Sequence, residues 1–319
     1  MLDGVDEVIV VSVPMRVRFR GVLHREAVLL HGPAGWGEFA PFLEYDDAEA
    51  ARWLAAALEA CTAGWPAPVR DRVPVNATVP AVPAAQVPGV LERFPGCTTA
   101  KVKVAEAGQA LGDDVARVAA VCEALGPGGR VRVDANGGWT LEQARRALDA
   151  LGPYGLEYAE QPCAALEDLA ALRGRGVLVA ADESVRKAED PLRVARLGAA
   201  DVLVLKVAPL GGVAPALRIA GECGLPVVVS SALDTSVGIS AGVALAAALP
   251  ELPYACGLAT TSLMADDVVA ASLDGRGGSL AVGAVSPAPA RLAALAATPE
   301  RQRWWRARLE RCAALLPAG

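Results

Sequence analysis

The sequence predicts an α/β protein: an eight-stranded (β/α)-barrel carrying a smaller α+β domain. Three observations lead there. From about residue 72 onward, short β-branched runs alternate with Ala/Leu/Arg segments of helical period, and this continues for roughly 215 residues. Polar side chains recur at the ends of these runs at a step of one β/α unit. Residues 1–71 lack the alternation, and the stretch from about residue 291 to 316 is helical and Arg-rich. The expected division is therefore an α+β domain from 1–71, completed by 288–319, and a barrel from 72–287.

The N-terminal domain starts with two β-rich runs, 8–13 and 27–31, flanking a basic hairpin region, Arg16-Val-Arg18-Phe-Arg20-Gly21. Gly35-Trp-Gly-Glu38 and a helix over 47–61 follow. The barrel strands are expected at 73–79, 100–104, 130–134, 155–160, 177–182, 201–207, 226–230 and 254–260. The Pro-rich region 80–95 predicts an irregular first crossover. Thr140-Leu-Glu-Gln143 is a capping-box pattern, after which Leu141, Ala144, Leu148 and Leu151 share a face until Gly152-Pro153 stops the helix. Hydrophobic residues make up 53% of the 319 and aromatics only 4%, so the core is built from Ala, Val and Leu.

Composition also excludes function classes. Net charge is −6 with no basic run, which argues against a nucleic-acid partner. The acidic start, Met-Leu-Asp-Gly-Val-Asp-Glu, does not read as a signal peptide. The apolar stretch 235–250 is too short to span a membrane. Seven cysteines without CxxC or Cys/His spacing suit a reducing compartment, so a cytoplasmic location is expected. No GxGxxG or P-loop occurs, and neither His24 nor His31 falls on a barrel strand.

Of 30 basic residues only four are lysine, Lys101, Lys103, Lys187 and Lys206, and all but Lys187 sit in apolar, β-branched runs. Arginine cannot give up its proton in a protein, whereas a desolvated lysine can. The steps from Lys103 to Asp134, Glu160, Asp182, Lys206 and Ser230 are 31, 26, 22, 24 and 24 residues. Strand ends at that spacing converge on one mouth of a barrel. Asp134, Glu160 and Asp182 would crowd there and call for a divalent cation, and oxygen ligands alone select Mg²⁺, with Mn²⁺ as the alternative. Glu183 is expected beside this trio rather than on the ion. Lys103 and Lys206 flank it. A neutral lysine there suits removal of the weakly acidic proton α to a carboxylate, with the metal stabilising the anion formed. The blander reading, in which the acidic residues merely cap helices, has to place three of them in register.

Lys101-Val-Lys103, Val-Asp134-Ala-Asn136, Tyr-Ala-Glu160-Gln-Pro, Ala-Asp182-Glu-Ser and Leu-Lys206-Val-Ala-Pro-Leu-Gly-Gly, in this order, resemble the enolase superfamily, in its muconate-lactonizing-enzyme-like subgroup. The resemblance implies a (β/α)7β modified TIM barrel with a capping domain, to which Gly35-Trp-Gly-Glu38 belongs. It implies Lys103 and Lys206 as the acid/base pair and Asp134, Glu160 and Asp182 as metal ligands. Closer features, Arg132 before Asp134, the 229–238 segment around Ser230 and the turn at Gly257, resemble the o-succinylbenzoate synthase family. The reaction implied is Mg²⁺-dependent syn dehydration of a succinyl-hydroxycyclohexadiene carboxylate in menaquinone biosynthesis. Lys101, Arg132, Asn136, Ser230 and Gly257 are the expected substrate contacts, and Arg20, the likeliest of the three hairpin arginines to reach the site, is expected on the distal carboxylate. Other readings stay open at this point: N-succinylamino acid racemase or dipeptide epimerase chemistry, a Schiff-base aldolase, or a non-catalytic binder. The expected partner is a small-molecule carboxylate, with neither nucleic acid nor membrane, and a monomer is favoured over an oligomer.

Overall fold

The computed structural model describes residues 2–19, 21–186 and 191–317. At the N-terminus β1 (Glu7–Phe19), β2 (Val22–Gly32) and β3 (Gly35–Phe39) form an antiparallel sheet in sequence order. The two β-rich runs are thus the inner parts of one long hairpin, whose last registered pair is Phe19 with Val22. Helix α1 (Asp47–Leu58), N-capped by Asp46 Oδ1 on the Glu49 amide at 2.7 Å, packs on β3 and ends in a π-turn over Glu59–Ala63. Gly37 permits this approach, since a Cβ there would lie 2.0 Å from the Ala57 carbonyl oxygen.

The barrel strands are β5 (Ala77–Val79), β6 (Thr99–Lys103), β7 (Arg130–Asp134), β8 (Ala159–Glu160), β9 (Val179–Ala181), β10 (Val202–Leu205) and β11 (Val227–Val229), parallel and neighbouring in chain order. The expected first strand divides: β4 (Arg72–Pro74) leaves the barrel and pairs antiparallel with β12 (Ser279–Ala281). The expected eighth strand is reduced to bridges, Cys256 to Val75 on one side and Gly257 to Ser230 on the other. Both are parallel, so residues 256–257 link the two edges of the curled sheet.

Helices α2 (Val87–Leu91), α3 (Leu111–Leu125), α4 (Leu141–Leu151), α5 (Leu166–Leu172), α6 (Glu183–Arg186), α7 (Arg193–Arg196), α8 (Val207–Leu210), α9 (Val213–Cys223) and α10 (Ser236–Ala248) connect successive strands. The Pro-rich first crossover holds a short 3-10 turn, Ala84–Gln86, and α2. Helix α4 carries the reciprocal capping box of Thr140 and Gln143, and buries Ala144, Ala147, Leu148 and Leu151. The apolar stretch that forms α10 is buried on nearly every side, packing on β3, β11 and α9. No described helix is long and apolar enough to cross a membrane. After α11 (Pro289–Ala294), Thr298 and Pro299 restart the chain as α12 (Pro299–Ala313). This helix returns to the N-terminal sheet: Trp305 Nε1 and Arg301 both donate to Glu26 of β2, and Arg308 donates to the Phe42 and Tyr45 carbonyls.

Candidate active site

The strand register brings the spaced residues together. Lys103 pairs with Asp134 across β6 and β7, and Asp134 with Glu160 across β7 and β8. Lys103 Nζ donates to Asp134 Oδ2 at 2.6 Å and to Asn136 Oδ1 at 2.7 Å, under the Phe19 ring at 5.6 Å. Lys101 Nζ lies 2.8 and 3.0 Å from the two Glu160 oxygens and 3.2 Å from Asp134 Oδ2. Lys206, at the N-cap of α8, contacts Asp182 Oδ2 at 2.5 Å, and Arg186 holds Asp182 Oδ1 at 3.0 Å. Asp134, Glu160 and Asp182 are all essentially inaccessible to water.

Their ionisation follows from these neighbours. Burial works against the charged form of Asp134, but Lys103 and Lys101 hold its carboxyl far below the usual range. Asp182 is likewise buried, and Lys206 with Arg186 brings it down to about 2. Glu160 goes the other way, pushed up to about 7 by burial and by the Asp134 carboxylate, against the pull of Lys101. Burial lowers Lys101, but Glu160 and Asp134 more than offset this and hold it well above an ordinary lysine.

One cavity collects the three lysines, while the carboxylates they contact, Asp134, Glu160 and Asp182, do not line it. Lys101, Lys103, Asn136, Lys206, Ser230 and Gly257 line it, together with Arg186, Thr260 and an aromatic wall of Phe19, Phe42, Tyr45 and Trp53. The backbone is strained around its mouth: Ala105, Asn136, Gln161 and Leu233 are the described non-glycine residues with positive φ, and each follows a barrel strand. Glu183 accepts from Asn136 Nδ2 at 3.2 Å and from Arg186 at 2.6 Å, which ties the ends of two strands together, while its buried Oε2 has no partner among the described residues.

Other expected contacts lie elsewhere. Arg132 is wholly buried one layer deeper, where Glu157, Asn76, Tyr158 Oη and the Ala255 carbonyl surround it, and it does not line the cavity. Its place is set by i, i+2 periodicity, which aims it the same way as Asp134 but one layer further from the mouth. Arg20, like Lys187, lies outside the described residues. Of its neighbours, Arg16 donates to the Ala265 carbonyl, whereas Arg18 lines a groove shared with Phe19, Lys103 and Asn136.

Arg186, Gln161 and the aromatic wall were not singled out from sequence. Gln161 Oε1 accepts from the Asp182 and Ser184 amides at 3.0 and 3.1 Å, bracing the β9 end. In a chain with 4% aromatics, the run Phe42, Tyr45, Trp53 is the signal that could have found the wall.

A divalent cation fits the donor set: three buried carboxylates on adjacent strands, oxygen ligands only, near enough that Asp134 and Asp182 both raise Glu160. Each carboxylate is turned onto a lysine or arginine, so among the described residues no three acidic, histidine or cysteine side chains converge as ligands. The order and chemistry of the donors carry the fit.

Comparisons with known proteins agree with this architecture. Residues 89–288 match the family described as enolase C-terminal domain-like, and residues 10–61 the enolase N-terminal domain-like family. The chain is 60% identical over 316 residues to an o-succinylbenzoate synthase of Mycolicibacterium smegmatis, covering 98% of this chain and 97% of that protein. It is 59% identical over 318 residues to the enzyme of that name from Mycobacterium leprae, covering 99% and 94%. Among solved structures, muconate lactonizing enzyme from Pseudomonas fluorescens, complexed with muconolactone, superposes with a TM-score of 0.78 at 23% identity, over 92% of this chain and 99% of that one.

Proposed function

The chain belongs to the enolase superfamily, within it to the o-succinylbenzoate synthases, and we propose that Lys103, Lys206 and the buried carboxylates between them carry its hydro-lyase reaction. One observation supports the assignment of roles above the rest: the lysines at the ends of β6 and β10 line the same cavity, with Asp134 and Asp182 as their direct partners.

Superfamily members use a divalent metal, typically Mg²⁺. In this chain Asp134, Glu160 and Asp182 would hold it, and when bound it supplies charge stabilisation to the substrate carboxylate. Lys103 removes the ring proton α to that carboxylate. Its protonated form then delivers the proton to the departing β-hydroxyl, so that one side chain serves a syn elimination and water leaves as the ring aromatises. Lys206 faces the reacting ring as an ammonium and stabilises the anion. Asn136 fixes Lys103 Nζ through its side-chain oxygen, and Glu183 in turn fixes the Asn136 amide. The aromatic wall from the N-terminal part of the chain covers the ring and excludes water. Ser230, Ser231, Thr260 and Gly257 present hydroxyls and backbone to the succinyl arm.

The discriminating experiment is a steady-state assay with the succinyl-hydroxycyclohexadiene carboxylate before and after exhaustive chelation. The expected result is o-succinylbenzoate formation that chelation abolishes and Mg²⁺ restores. Full activity after chelation contradicts the proposed role of the three carboxylates.

A further inference from the structure

We propose that Glu38 is a positioning residue for the substrate cavity: held by the N-terminal sheet, its carboxyl group fixes the segment after β11 that forms one cavity wall. What that wall binds rests on the functional reading above.

Glu38 sits in β3 opposite Leu29 and is only 7% exposed. Its Oε1 accepts from the Thr235 amide at 3.2 Å. Its Oε2 accepts from Thr235 Oγ1 at 2.5 Å and from the Gly238 amide at 2.9 Å. Thr235 is the N-cap of α10, so the carboxyl oxygens of a residue from a distant part of the chain complete this helix start. Gly238 is required for the approach, because a Cβ there would lie 3.0 Å from Glu38 Cδ and 2.6 Å from Asp234 Cβ. Arg25 of β2, also buried, braces the same segment by donating Nε to the Leu233 carbonyl at 2.9 Å and Nη2 to the Ala232 carbonyl at 3.2 Å.

The segment has two faces. Behind, it is held by Glu38 and Arg25; in front, Ser230, Ser231, Ala232 and Leu233 line the cavity. Leu233 has φ +65°, a conformation that a leucine keeps only when its surroundings impose it. Glu59 supplies the contrast. It makes the same kind of contact with α9, accepting from the Val213 and Ala214 amides at 2.5 and 3.0 Å, but neither of those residues lines the cavity. Both acidic side chains join the N-terminal part to a barrel helix, and of the two Glu38 holds a piece of the substrate wall.

The test compares Glu38→Ala and Glu38→Gln with Glu59→Ala. Loosening a wall that contacts substrate and transition state alike raises KM and leaves kcat nearly unchanged. For Glu38→Ala the expected result is a KM about tenfold higher with kcat within about threefold, given the hydrogen bonds lost. Amide hydrogen exchange over residues 230–238 of the free enzyme rises about tenfold in parallel. Glu38→Gln keeps an acceptor for Thr235 and recovers part of both effects. It also carries the test if the alanine variant does not fold. Glu59→Ala lowers the melting temperature but moves neither KM nor exchange at 230–238. Wild-type KM and exchange in both Glu38 variants, or equal KM changes in the Glu38 and Glu59 variants, would overturn the proposal. A wild-type enzyme without dehydration activity contradicts the functional reading instead, and the exchange measurement still decides whether Glu38 holds the segment.

Discussion

Replacing Lys101 with methionine removes the cation that bridges Glu160 and Asp134. Lys101 Nζ sits 2.8 Å from Glu160 and 3.2 Å from Asp134, its side chain is 8% exposed, and no other hydrogen bond to the Glu160 carboxyl oxygens is found among the described residues. Breaking a buried pair from one side costs about 3–5 kcal/mol, because the remaining charge stays buried. Uptake of a proton by Glu160, already pushed up to about 7, relieves part of this at neutral pH. Taking about 2 °C per kcal/mol for a chain of this size, the metal-free variant should melt about 5–10 °C below wild type. A divalent cation held by the three carboxylates replaces the lost charge, so Mg²⁺ should raise the melting temperature of the variant more than that of wild type. A ligand at about 100 times its Kd contributes about 2.7 kcal/mol. The assay is thermal unfolding of both proteins in EDTA and along a Mg²⁺ series. Equal Mg²⁺ shifts in the two proteins would show that Lys101 and the metal do not answer the same carboxylates.

Three further outcomes are expected. Glu38, pushed up to about 8 by burial and by the Asp234 carboxylate, keeps in the folded state a proton that the unfolded chain loses near 4.5. Its stabilising contribution is therefore full below about pH 4.5 and is lost as pH rises through about 8, so Glu38→Gln should flatten the fall of melting temperature between pH 5 and 8; an unchanged slope contradicts this. Lys206→Arg keeps a cation but no usable base, and should retain part of the dehydration while showing no N-succinylamino acid racemisation, both followed by direct assay. Arg18→Met should lower kcat/KM about tenfold through loss of a charge-assisted contact, with Arg16→Met as the neutral control; matching values for the two variants would place Arg18 outside recognition.

The alternation of β-branched and helical segments was readable because each unit is local, and the same locality placed Lys103, Asp134, Glu160, Asp182 and Lys206 at strand ends. Pairing across the chain was not readable. Residues 73–79 look like one strand, yet Ala77 pairs with nearby Ala100 while Val73 pairs with Leu280, more than two hundred residues away. The eighth strand closes the sheet through single bridges at Cys256 and Gly257, too short to leave a period. Spacing told which side chains point toward the barrel axis but not how deep they lie, which is why Arg132 looked equivalent to Asp134. Glu38 was visible as part of a motif, but its partners Thr235 and Gly238 are nearly two hundred residues away. Arg186, on a four-residue helix beyond β9, reads in sequence like any other of the 26 arginines.

Lys103→Arg decides whether Lys103 is the base. Arginine keeps the positive charge beside Asp134 and Asn136 but cannot accept a proton at working pH. The measurement is kcat for the dehydration at saturating substrate and Mg²⁺, on protein whose melting temperature shows it to be folded. The expected loss is about 10²–10⁴-fold. A folded variant that keeps more than about a tenth of the wild-type rate would contradict it and move the base to another side chain.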